Sequence, residues 1–360
     1  MSTKVDNSGE RPGLQRTRLD WVDAGRGLAI CLVVLFHSAN WLGAAGIDTR
    51  GWISFNLVVS SLRMPLFFAL SGLFAGKWLL VSWRTLWSGK VRMFAWVFLV
   101  WSTIGACAFT VGTRVMLDQG SLLKGTLLPI VLAPAYPRLE LWFIWALALF
   151  FCLAKLTARL DPRLQLAVAG VGSAVALSGW VTASPGWNGS VRYYFFFLVG
   201  LHARTLIIRL GSTRRIGLLA SGFAAWLVAS FALWHWNLRE VPGLYFINCL
   251  LGLVAGVALS RVVRWRAIRA VGSRTLPIYL AHTPIILLVC MVISLTAISQ
   301  VPVTAQVAPP LLMLVAVIGA LLLNRAAPRA GAAWLYEAPG WFPGRPEQGA
   351  PRPEPAQASS

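Results

Sequence analysis

The chain has 360 residues, of which 57% are hydrophobic and only 12% charged, about half the charged share of a soluble domain. So apolar a surface has to meet lipid, which excludes an ordinary water-soluble globular fold. Lys and Arg outnumber Asp and Glu 32 to 12, for a formal charge of +20, but the bases stand in short runs between long apolar stretches, a pattern of headgroup contact and not of nucleic acid binding.

Spanning the hydrocarbon core takes about 20 apolar residues in a helix. Ten segments of that kind follow one another: 25–45, 53–76, 93–112, 140–157, 164–182, 192–209, 215–235, 243–261, 275–297 and 304–324. Segment 122–134 is apolar but short and carries Pro129 and Pro134, so it is expected to lie at the interface or to re-enter. Residues 1–24 form an N-terminal segment, 25–325 the membrane domain, and 326–360, rich in Pro, Ala and Gly, a disordered tail. The first apolar segment is long and has Asp23 and Arg26 at its mouth, unlike a cleavable signal.

Nearly all bases fall in alternate inter-helix segments. The exceptions are Arg50, Arg114, Lys124, Arg138, Arg192 and Arg239, together with Arg63 inside the second segment. By the positive-inside rule both termini are cytoplasmic and the number of spans is even. The expected fold is an all-α, polytopic bundle of about ten transmembrane helices in the inner (plasma) membrane, with the lipid bilayer as its main partner. No internal repeat is visible, so an inverted-repeat transporter plan lacks support. Cys31, Cys107, Cys152, Cys249 and Cys290 each stand alone in an apolar segment and read as packing residues, with neither disulfide nor metal spacing. Trp52, Trp187 and Tyr193, near helix ends, read as an aromatic belt.

The first helix places Arg26 near its start and His37 eleven residues later, which returns the two to nearly one face about 16 Å apart. Asp23 precedes Arg26 by three residues, in position to pair with it. A basic anchor and an imidazole facing a shared water-accessible shaft suit a ligand with an anionic head and a long thin arm, and coenzyme A is such a molecule. The guanidinium suits its phosphates; an imidazole, with its ordinary pKa of about 6.5, suits proton removal at the reacting end.

In the second helix Arg63 lies close to the depth of His37, with Pro65 kinking the chain beside it and Ser71 two turns on. A polar cavity shared by Arg63, Ser71 and His37 is expected, Arg63 serving an oxyanion; no acid is evident inside the spans to pair with it. In the ninth helix His282, one turn after Tyr279, is deep enough to need a partner and is expected to support His37, to line a pocket or simply to pack. Glu140, before Leu141-Trp142-Phe143, reads as a helix cap ahead of its other use, binding a hydroxyl acceptor.

Taken in order, these pieces resemble the membrane acyltransferase 3 family. The Arg26–His37 spacing resembles its first helix, LRMPLFFALSG its second, ELWFIWALALFF its Trp-rich fourth, and YFFFLVGL and VGSRTLPIYLAH its later markers, over residues 18 to 325 or so. The compact loops look most like the branch related to fucose-4-O-acetylases. The resemblance implies an O-acyltransferase with His37 as catalytic base, acyl-CoA (acetyl-CoA) as cytoplasmic donor and a glycan or small-molecule hydroxyl as acceptor, with no bound cofactor and no metal. Glu140 stands where some members have His, which bears on acceptor recognition. The competing reading is a carrier or channel with Arg63 and the histidines along a permeation path.

Overall fold

The computed structural model describes residues 19–118, 122–137, 140–213, 215–263, 265–296 and 304–344, and every regular element among them is helical. In chain order these are α1 (Asp20–Ala44), α2 (Arg50–Gly72), the short α3 (Gly76–Leu80) and α4 (Trp83–Leu86), then α5 (Arg92–Leu117), α6 (Leu128–Leu132), α7 (Trp142–Leu156), α8 (Pro162–Leu177), α9 (Pro185–His202), α10 (Arg204–Ser212), α11 (Ile216–His235), α12 (Leu244–Val262), α13 (Arg266–Gly272), α14 (Thr275–Ser294) and α15 (Thr304–Ala326). Among the described residues seven helices are long and apolar enough to cross a membrane. An eighth span is the pair α9 and α10, bent by 79° at Ala203, and α7 and α8 are shorter apolar helices.

Each of the ten expected segments therefore holds a helix, but several boundaries move. The third span begins at Trp83, because a π-helical turn at Trp87–Val91 joins α4 to α5 without a break. The sixth begins at Pro185, where Ser184 accepts from the Trp187 amide and proline occupies a first-turn position that needs no N–H. Segment 122–134 is a π-helical turn, Leu122–Leu127, followed by α6, packed along α5.

The middle of the bundle is α2, which packs against α1, α9 and α12. Its crossing with α9 is close because two glycines face each other's backbone. A β-carbon on Gly72 would run into the Phe197 carbonyl, and one on Gly200 into the Ala69 carbonyl. Beside that crossing Phe68 is fully buried among Phe143, Phe150 and Tyr193, with ring centroids 4.6, 5.2 and 5.6 Å away. Tyr193 is thus a core residue and not part of an interfacial belt. Pro65 lacks the N–H that would close on the Ser61 carbonyl; Gly252 of α12 packs against that carbonyl, and the Trp226 indole donates to the Ser61 hydroxyl at 2.9 Å.

The tail departs from its sequence reading. Residues 327–344, expected to be disordered, fold back along α5, with a 3₁₀ turn at Ala333–Leu335. Arg92 donates to the carbonyls of Ala338, Pro339 and Phe342. The indoles of Trp87, Trp96 and Trp101 donate to Pro343, Trp334 and Leu335 at 3.2, 2.6 and 2.7 Å. A Pro- and Gly-rich segment without an apolar period has no reason to be ordered alone; here the partner helix satisfies its backbone. The final sixteen residues lie outside the described ones. Arg92→Gln removes charge-assisted bonds worth about 1.5–3 kcal/mol apiece. It is expected to raise chymotryptic cleavage after Tyr336 and Trp341 by at least about tenfold, as followed by mass spectrometry.

Candidate active site

Three elements meet at His37. α1 carries it two turns before its C-terminal end, α14 brings His282 with its ring centroid 5.3 Å from that of His37, and the segment leading into α7 brings Glu140. The carboxylate lies 2.9 Å from His37 Nδ1. A carboxylate only accepts, so Nδ1 carries the hydrogen of this bond, and a neutral ring keeps its lone pair on Nε2. Glu140 also accepts from the Trp41 indole at 3.3 Å and from the Thr283 hydroxyl.

Glu140 therefore does not cap α7, contrary to the sequence reading. The first turn of that helix is held from α14 instead: the Tyr279 hydroxyl accepts from the Phe143 amide at 3.1 Å and donates to the Glu140 carbonyl. With its backbone clamped in this way, the Glu140 side chain is free to turn inward. It supplies the acid that the apolar segments were read as lacking. His282 is fully buried; its Nδ1 faces the carbonyls of Tyr279 and Ile278 at 2.7 and 3.2 Å, and its Nε2 lies 3.2 Å from the Thr283 oxygen.

Arg63 shares a cavity with His37 and Glu140, as expected, but Ser71 does not. The cavity has a volume of about 310 Å³ and is also walled by Phe67, Trp142, Phe143 and Arg192. Ser71 lies two turns along α2, with its hydroxyl donating to the Phe67 carbonyl at 2.8 Å. Arg63 is 5% exposed. Its NH1 donates to the Leu32 carbonyl at 3.0 Å and to Asn56 Oδ1 at 3.3 Å, its guanidinium lies over Phe36, and its Nε is buried without a partner. Among the described residues it makes no ion pair.

The open shaft expected between Arg26 and His37 is not formed. Val33 and Phe67 belong to the cavity wall one turn in from His37 and Arg63, and Ile30, Leu66 and Leu70 beyond them are fully buried. The cause is the antiparallel fit of α1 on α2, pinned by Arg63 on Leu32 and by Arg26, whose NH2 donates to the Leu70 carbonyl at 3.2 Å and whose guanidinium lies over Phe74. Asp23 is buried one turn before Arg26, within electrostatic reach of it. On the far side of Glu140 a second, apolar cavity of about 130 Å³ is bordered by Trp101, Phe109, Leu280 and Pro284.

Two imidazoles and a carboxylate also form a metal-ligand set, with donor atoms within 4.8 Å of one another. The 2.9 Å contact is a hydrogen bond, shorter than the roughly 3.3 Å that separates two ligands on a tetrahedral zinc ion. The group is an imidazole hydrogen-bonded to a carboxylate and facing a cavity. Sequence reasoning missed four of its members. Trp41 is one turn after His37, Asn56 two turns before Arg63, and Thr283 directly follows His282; each is a polar group sharing a helix with a predicted site residue. Arg192 was counted only as an outer-loop base.

A half-buried imidazole hydrogen-bonded to a carboxylate thus shares a cavity with a buried guanidinium inside an all-helical bundle. The sequence profile of the acyltransferase 3 family, described as an acyltransferase domain, matches residues 19–325, so the chain belongs to that family. It is 23% identical over 310 residues to the inner membrane protein YcfT of Escherichia coli K12, covering 78% of this chain and 82% of that one. It is 27% identical over 211 residues to the nodulation protein NolL of Mesorhizobium japonicum, covering 52% of this chain and 55% of that one. No solved structure matches. The chain is a multi-pass membrane protein of an acyltransferase family.

Tyr279→Phe leaves the Phe143 amide and the Glu140 carbonyl without their buried partner. It is expected to cost about 1–3 kcal/mol for each group left unpaired, read as a lowered unfolding midpoint of the detergent-solubilised protein.

Proposed function

We propose that the protein is an O-acyltransferase that moves a short acyl group, acetyl in the first place, from acyl-CoA to a hydroxyl of a glycan-type acceptor. The observation that carries this reading is the His37–Glu140 pair on a cavity that also holds Arg63. His37 Nε2 removes the proton of the acceptor hydroxyl as its oxygen attacks the thioester carbonyl. Glu140 holds the ring in the required tautomer and stabilises the imidazolium that forms. Arg63, whose Nε is unpartnered, donates to the oxyanion of the tetrahedral intermediate. Collapse breaks the C–S bond, and the imidazolium returns its proton to the leaving thiolate. His282 and Thr283 act as positioning residues through Glu140.

The donor is taken to approach from the cytoplasmic side, with both termini on that side. Support comes from the cations at the Arg26 end. Arg26 and Lys77 lie close enough to Lys90 to act on it electrostatically. The three rest on Phe74, Trp78 and Phe94 respectively, an array suited to the phosphates of coenzyme A. Asp23 sets the position of Arg26, and Ser71 lies between this array and the cavity. For the pantetheine arm to reach His37, Val33 and Phe67 have to part. The small cavity behind Glu140 has room for a short acyl chain.

His37→Ala is expected to abolish acyl-dependent CoA release while the protein still inserts into the membrane and folds, with a lowered thermal midpoint because Glu140 loses its partner. Arg63→Gln is expected to lower turnover by about 10²–10³-fold. Full turnover by folded His37→Ala protein would overturn the mechanism.

A further inference from the structure

The reaction cavity holds more positive charge than the reaction uses. Resting on the acyltransferase reading above, the count concerns groups that line one cavity. Glu140 is its carboxylate, and Arg63 and Arg192 are its guanidiniums. With His37 neutral, one positive unit is left over. The chemical step does not remove it, because the imidazolium and the oxyanion appear together and cancel. An unbalanced charge in a half-open, aromatic-walled space between helices favours a ligand that brings the counter-charge.

The two guanidiniums are placed differently. Arg63 sits beside the reacting groups, against Phe36 and the Leu32 carbonyl. Arg192 stands on α9, across the cavity, anchored only through Nε, which donates to the Ala176 carbonyl at 3.0 Å. Among the described residues its terminal nitrogens have no acceptor within hydrogen-bond distance and no carboxylate partner. Asn188, on the same wall, is committed at both ends of its amide to the Thr182 backbone, at 2.5 and 2.8 Å. Among the described residues the charged donors left free on the side of the cavity away from His37 are those of the planar fork of Arg192, whose geometry matches a carboxylate or a phosphate.

We infer that the acceptor is an anionic glycan, with a carboxylate or phosphate close to the hydroxyl that is acylated, and that Arg192 binds that anion. Arg192 is then a specificity-determining residue and Arg63 remains with the oxyanion. An acceptor with a single negative charge brings the cavity to neutrality through the whole reaction, so binding and catalysis do not compete for the same guanidinium.

The test compares cell-envelope glycans and secreted metabolites of a deletion strain with those of the same strain carrying wild-type, Arg192→Gln or Arg192→Lys protein. Acylated species are separated by anion exchange and sequenced by mass spectrometry, which also tells a carboxylate from a phosphate. The expected result is an acyl-bearing species, lost on deletion, whose acylated residue or its neighbour carries the anion. Its amount should fall at least tenfold with Arg192→Gln and recover in part with Arg192→Lys. A neutral acylated species overturns the charge assignment and leaves the transferase reading intact. So does wild-type abundance with Arg192→Gln. If no acylated species is lost on deletion, both fall. The charge of the wild-type product decides the matter even where a variant fails to accumulate.

Discussion

The architecture turns on one hydrogen bond, from His37 Nδ1 to Glu140 across 2.9 Å. Neither group is tolerable alone at that place. An ionised carboxylate among apolar helices costs several kcal/mol unless it is paired and solvated by donors. Here it receives three: the imidazole, the Trp41 indole and the Thr283 hydroxyl. To bring these together, α1, the approach to α7 and α14 have to converge, and Tyr279 fixes that convergence by holding both the Phe143 amide and the Glu140 carbonyl. The acid that stabilises the site is thus also the group that orients its base.

The remaining geometry follows from α2. Its glycine-mediated contact with α9 brings Tyr193 and Arg192 to one side of the cavity, and its fit on α1 brings Arg63 to the other. The same close fit closes the direct path toward Arg26 with Ile30, Val33, Leu66, Phe67 and Leu70. A bundle stabilised by packing and not by water exclusion between helices depends on such small-residue crossings. A continuous open shaft would forfeit those contacts for as long as it stayed empty.

What could be seen in the sequence were the features with a period or a cost. Ten apolar segments were legible because length and hydropathy suffice to identify a span. His37, Arg63 and His282 were legible because polar groups in such segments need a reason. Glu140 was misread because its role depends on Tyr279, which lies 139 residues away and which alone explains why the first turn of α7 needs no side-chain cap. The tail was misread for a similar reason: its order comes from Arg92 and three tryptophans of the third span, not from its own composition. Arg192 looked like a loop base because the sixth span was drawn to begin there, whereas α9 begins at Pro185 and carries Arg192 two turns into the bundle.

The chain has four histidines, so the state of the central one can be read directly. Nitrogen-15 NMR of histidine-labelled protein in lipid, with His37 assigned by its loss in His37→Gln, reports which ring nitrogen is protonated. At mildly alkaline pH the account predicts a protonated Nδ1 and a bare Nε2 for His37, with Nδ1 reverting toward an ordinary tautomer mixture in Glu140→Gln. A His37 ring protonated on Nε2, or one indifferent to the loss of the Glu140 charge, would contradict it.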